Sequence, residues 1–219
     1  MTDLFRRTFG PLALIGLLAL SSCQVIGLIA YKMPQPPIMA EYRLAGQPVS
    51  VMVWADQGIE LDWPSISRDL AGGLTENLKQ AVVAENEAVL GVTFPVAVES
   101  VVRWQKDNPG YDGLPITSVA PQLGTSRVIY VEINKFSTRT AQTFVLYRGS
   151  VNASIKVIEV ENGVGKVAWE KRDINVFYPD KGPEDGTPKG TDYQFYVGTM
   201  TELATQLAEL LIDHPPEEQ

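Results

Sequence analysis

One cysteine in 219 residues constrains this chain more than any other single feature. A lone thiol closes no internal disulfide, so the fold must rest on a hydrophobic core. With one cysteine and one histidine, tetrahedral zinc sites and thiol–imidazole chemistry are effectively excluded. The cysteine, Cys23, stands at the end of an apolar run, and that position decides how it is read.

Residues 1–7 carry the basic pair Arg6 and Arg7, residues 9–20 (FGPLALIGLLAL) are apolar, and Ser21 and Ser22 precede Cys23. A positive start, a short apolar stretch and small residues before a cut make up a secretory signal. Leu20-Ser21-Ser22-Cys23 resembles the lipobox of bacterial lipoproteins. That resemblance implies cleavage before Cys23 and lipidation of its sulfur. Several acyl tails at roughly 0.8 kcal/mol per buried CH₂ would make the anchoring permanent. The alternative is an uncleaved transmembrane helix. Apolar character resumes with VIGLIA, and Phe9 to Ala30 is long enough to span a bilayer with its N-terminus held inside by the arginines. Both readings place the rest of the chain outside the cytoplasm. Gln24 stands where lipoproteins kept in the inner membrane carry Asp, so the same resemblance implies the outer membrane, facing the periplasm.

The formal net charge is −8, and loss of Asp3, Arg6 and Arg7 with the signal makes the chain one unit more acidic. Such a surface argues against nucleic acid, which needs Lys and Arg to displace counterions. It argues equally against electrostatic docking on an anionic bilayer. Membrane affinity then comes from the N-terminal lipid.

Residues 31–48 hold four prolines and no steady period, so they read as an extended spacer, with a docking segment as the alternative. The organisation expected is a signal over 1–22, an anchor and spacer over 23–48, one globular domain over 49–213 and an acidic tail over 214–219. Val49–Ala55 (VSVMVWA) reads as a buried strand. Asp62 is a candidate N-cap for a helix on which Ile66, Leu70, Leu74, Leu78 and Val82 recur every four residues. Gly72 and Gly73 weaken that helix and would let it pack closely on a sheet.

Phe94–Trp104 reads as a strand, Ile116–Leu123 as a short helix ended by Gly124, and Arg127–Phe136 as a strand. Thr143–Val160 and Lys166–Val176 form a hairpin across Asn162-Gly163. Pro179–Thr191 is a loop. A last amphipathic helix runs from Tyr193 to Asp213, with Val197, Met200, Ala204, Leu207 and Leu211 at helical spacing. The order β-α-β-α-β-β-β-α predicts an α+β fold: a single mixed β-sheet with helices packed mainly on one face.

The pattern VSVMVWA, amphipathic helix, Gly124–Val131, then Gly149–Glu170 with the return strand Lys166-Val167-Ala168-Trp169-Glu170 is similar to envelope domains of the TolB amino-terminal type. Penicillin-binding-protein activator lipoproteins and the periplasmic part of the curli-secretion lipoprotein are among these. The likeness covers about Val49 to Ile212. It implies an adaptor rather than an enzyme, and an envelope protein or self-assembly as partner.

Catalytic candidates are few. His214 lies beside two prolines at the chain end, a poor setting for a held base. Glu159 and Glu161 flank the hairpin turn, and solvated strand ends account for them. Asp180, Glu184 and Asp185 share the Pro-Gly loop without the spacing of a calcium loop. No phosphate loop, dinucleotide fingerprint or serine elbow is present. The expectation is therefore no catalytic residue, no cofactor and no metal. Packing is the default expected of Trp54, Trp63, Trp104 and Trp169; for Trp63, in a loop before a helix, the alternative is to stay exposed and bind. The functional expectation is a non-enzymatic accessory lipoprotein. The alternative is a lipid- or solute-handling auxiliary of an ABC-type envelope transporter, which would carry an apolar groove between sheet and helix.

Overall fold

The computed structural model describes residues 36–140, 143 and 145–216. Cys23, the signal segment and the first part of the spacer lie outside the described residues. Met39–His214 form one compact unit.

Strand β1 (Val49–Ala55) is followed by helices α1 (Gln57–Asp62), α2 (Ile66–Val83), α3 (Val98–Asp107) and α4 (Ile116–Val119). Then come β2 (Arg127–Arg139), β3 (Tyr147–Glu161), β4 (Val164–Tyr178) and α5 (Asp192–Glu209). The sheet order is β1-β2-β3-β4. β1 runs parallel to β2, with Val49 opposite Arg127 and Ala55 opposite Ile133, and the other two pairings are antiparallel. Five helices packed against this one mixed sheet make the fold α+β, as expected. The β3–β4 turn is Asn162-Gly163, with φ of +51° and +76°. Two left-handed residues in succession match the twist of the flanking strands.

The pleat sorts side chains between two cores. One face carries Val49, Val51 and Val53 of β1, Val131 of β2 and Ile155 of β3. Against it pack Leu70, Leu74 and Leu78 of α2 and Met200, Leu203 and Leu207 of α5. The two long helices share this face. The other face bears Met52, Val128, Tyr130 and Ile158, covered by Val101 of α3 and by Val119, Ala120 and Leu123 around α4. β1, apolar on both sides, is therefore buried on both sides.

Four expectations are corrected. Residues 98–107 are helix α3, not strand, because Val101 and Trp104 lie on a helical face that seals the second core, while Val98 packs against the first. Asp62 ends α1 rather than capping α2; Asp56 caps α1, accepting the Gly58 amide at 2.8 Å, and Ser65 occupies the N-cap of α2. Gly73 meets Ala204 of α5 instead of the sheet: a Cβ there would lie 3.2 Å from the alanine methyl. The domain also begins before Val49. Leu44 is fully buried, and the amides of Glu41 and Tyr42 donate to the Leu210 carbonyl, so residues 40–48 belong to the domain rather than the spacer.

Candidate functional site

A sheet ends in two edges, and each carries backbone donors and acceptors in need of partners. The β1 edge is covered, with every residue of the strand but Trp54 buried. The Val49 amide donates to the Thr93 carbonyl at 2.8 Å, and the Thr93 amide donates to Gln47 at 3.2 Å. Further along, Gln105 Nε2 of α3 donates to the Val53 carbonyl at 2.9 Å and to the Tyr111 hydroxyl at 2.7 Å. Burial raises the Tyr111 hydroxyl to about 12, so it is un-ionised at neutral pH.

The β4 edge is open along its 15 residues. Among the described residues its outer backbone takes one hydrogen bond, from Asn175 Nδ2 to the Asp173 carbonyl at 2.8 Å. Two bulges interrupt it. Val167 pairs with Ile158 while Trp169 pairs with Val157, and Lys171 pairs with Ile155 while Ile174 pairs with Ala153. The second contains Asp173 at φ +56°. Bulges and charges are how proteins keep an open edge from indiscriminate pairing. They divide β4 and leave Ile174–Tyr178 as a regular stretch.

An open groove of about 680 Å³ adjoins that stretch, lined by Tyr178, Pro179, Tyr193, Val197 and Thr201. It exists because α5 is held firmly over the ends of β3 and β4. Thr191 and Gln194 close a reciprocal capping box at its N-terminus. The Asp192 carboxylate accepts from Thr138 at 2.5 Å and from Arg139 Nε and Nη2 at 2.8 and 2.6 Å. These donors, Arg139 foremost, hold its carboxyl below the usual carboxylate range.

The Arg139 guanidinium lies 3.8 Å from the Tyr147 ring centre, and Phe195 packs against Tyr147 and Tyr178 at 5.4 and 5.9 Å. Gly198 lets the Tyr178 ring sit flush on the helix, since a Cβ would enter the ring. Tyr193 and Val197 then face outward, 70% and 41% exposed, and Phe177 is 45% exposed. The helical spacing assigned Val197 to the core; the buried face of α5 runs instead through Phe195, Thr199, Met200 and Leu203.

A charged row crosses the strands toward the same edge. Lys156 Nζ reaches Glu132 at 3.0 Å and Glu170 at 3.8 Å, and Arg172 grips Glu170 with two contacts of 2.9 Å. Beside it, Asn134 donates to Asn152 at 3.2 Å and Asn152 to Asn175 at 2.9 Å. The Arg172 hydrogen bonds are the main cause of a Glu170 carboxyl below its ordinary range.

The residues singled out from sequence fall elsewhere. Trp63 is half-buried, stacked on Tyr196 at 4.6 Å and edge-on to Phe136 at 5.6 Å, so it packs instead of standing free. Trp54 and Trp104 join the second core and Trp169 the first. Glu159 pairs with Arg127 at 3.2 Å and accepts from Tyr42 at 2.8 Å. Among the described residues no three of His, Cys, Asp and Glu converge, and no helix is long and apolar enough to cross a membrane. The edge and its groove escaped sequence reasoning. Their one local signal was the Pro-Gly loop after a long strand.

No family model matches this sequence, and no curated protein matches it. Among solved structures it is similar to the PelC dodecamer from Paraburkholderia phytofirmans, at 12% identity over 81% of this chain and 93% of that one, with a TM-score of 0.43. It is similar to lipoprotein GNA1162 from Neisseria meningitidis at 13% identity, over 74% and 96%, with a TM-score of 0.38. A neuraminyllactose-binding hemagglutinin homolog from Helicobacter pylori matches at 8% identity, over 81% and 91%, with a TM-score of 0.33. At these scores the likeness says nothing about activity. The resemblance to TolB amino-terminal-type domains rests on residue patterns alone.

Proposed function

We propose that this protein is a non-enzymatic accessory lipoprotein of the bacterial cell envelope, anchored through Cys23 to the outer membrane and acting as an adaptor for another envelope protein. The observation that carries the adaptor reading is the asymmetry of the two sheet edges. β1 is buried, with Thr93 and Gln105 bonded to its backbone, whereas β4 keeps its backbone open next to an apolar groove. An exposed edge beside exposed aromatic side chains suits protein–protein contact. The chain enters the domain at the other end of α5, where the Ala40 amide donates to Asp213 at 2.8 Å. That end of the helix, Glu209, lies about 16 Å along it from Gly198.

A photo-reactive residue at Phe177, exposed on the face of β4 opposite the groove-lining Tyr178, tests this in growing cells, with one at Val83, 84% exposed on α2, as control. A discrete protein adduct from Phe177 and none from Val83 is expected. Equal labelling at both positions would count against a site at β4. A second reading, an auxiliary that handles lipid or solute for an ABC-type envelope transporter, is favoured by the groove between α5 and the end of β4. It requires lipid in organic extracts of the purified protein, lost when Val197 and Tyr193 are replaced by Ser.

A further inference from the structure

The last stretch of β4 is matched to itself. Tyr147 of β3 exchanges both backbone bonds with Thr187, at 2.8 and 3.0 Å, on the side of β3 away from β2. Bonding direction alternates along an antiparallel strand, so Gly149, Val151 and Ala153 point the same way and bond to Tyr178, Val176 and Ile174. The N–H and C=O of Asn175 and Phe177 are therefore directed outward at the open edge.

We infer that the β4 edge pairs with the β4 edge of a second copy, antiparallel, about a two-fold axis at Val176. Opposed residues share both a face and a bonding direction, so such an axis falls on a residue. Only Val176 as the centre brings all five residues of Ile174–Tyr178 into the joint. Asn175 then lies opposite Phe177 of the second copy, at two crossings, and each crossing exchanges two backbone bonds. Val176 meets itself and Ile174 meets Tyr178, apolar against apolar.

At the next bonding position Asp173 faces Pro179. Proline has no N–H to give, and the Asp173 carbonyl already accepts from Asn175 Nδ2 at 2.8 Å, so the missing donor leaves no acceptor unmet. Beyond it Arg172 faces Asp180, and from one to the other no like charges oppose. Arg172 keeps its bonds to Glu170, so the match needs no surplus of charge at the edge. The groove obeys the same axis. Its wall on α5, Tyr193, Val197 and Thr201, is set against the same wall of the second α5, which covers the exposed Tyr193 and Val197. An unrelated strand must supply each of these matches separately; a second copy brings them together.

Five residues a side and one groove make a small joint, so pairing is reversible, and copies anchored in one membrane plane meet at raised effective concentration. This goes beyond the adaptor reading: a partner protein that takes the edge displaces the second copy.

Sedimentation of the purified full-length protein in detergent, at rising concentration and with no partner present, tests the pairing. A reversible dimer is expected. Asn175 and Phe177 are exposed on the sheet face away from α5, so charges placed there spare the core. Asn175→Glu with Phe177→Glu sets like charges at both crossings, whereas Asn175→Lys with Phe177→Glu sets opposite ones. The Lys–Glu double is expected to dimerise at least tenfold more tightly than the Glu–Glu double. A monomer at every concentration would overturn the inference and leave the edge to another protein. Equal dimerisation of the two doubles would overturn it as well, since the contact would then lie elsewhere, as with two anchors sharing a micelle.

Discussion

Asp192 is the residue on which the position of α5 turns. It lies in the first turn of the helix, where a carboxylate also suits the helix dipole, and it ties that turn to Thr138 and Arg139 of β2. Because its folded-state pKa is depressed, its contribution is present above the ordinary carboxylate pKa and is lost as pH falls through the lower folded value. Asp192→Asn should lower the urea midpoint at neutral pH, and the difference from wild type should shrink as pH falls below the ordinary carboxylate range. A difference independent of pH would mean that the carboxylate's charge is not what holds the helix. The carboxylate is partly exposed, so the shift should be small. None of this was legible in the sequence. Thr138 and Arg139 lie more than fifty positions from Asp192, and no local pattern joins them.

At the scale of elements, legibility followed periodicity. The four-residue recurrence from Ile66 to Val82 marked α2, and the Asn162-Gly163 pair marked the hairpin, because local geometry sets both. The segment PVAVESVVRW misled for a physical reason. Its valines favour strands, yet Val101 and Trp104 also share a helical face, and burial with Met52 and Tyr130 chose the helix. The second covered face was legible only in β1, where VSVMVWA is apolar on both sides.

The edge of β4 was not legible, since a strand's sequence does not say what lies beside it. Docking of α5 on β4 depends on Gly198, where an added methyl meets the Tyr178 ring. Gly198→Ala should cost about 1–3 kcal/mol by overpacking and lower the Tm by several degrees in a thermal scan. It should also disturb the groove while leaving α2 intact. An unchanged Tm would show that the ring yields without cost.

For the whole molecule, two claims meet: an anchor at Cys23, read from residues outside those described, and an adaptor surface read from the fold. The anchor is checked by the intact mass of membrane-extracted protein beside a Cys23→Ala variant. A chain beginning at Cys23 with added acyl mass, absent in the variant, is expected. An unmodified chain retaining Met1 would make residues 9–30 a transmembrane helix.

The adaptor surface is tested most directly by hydrogen exchange of the full-length protein, purified alone and held in its native membranes. Ile174–Tyr178 should be more protected in the membranes, with β1 equally protected in both. Identical exchange of Ile174–Tyr178 in the two states would contradict a partner on the β4 edge.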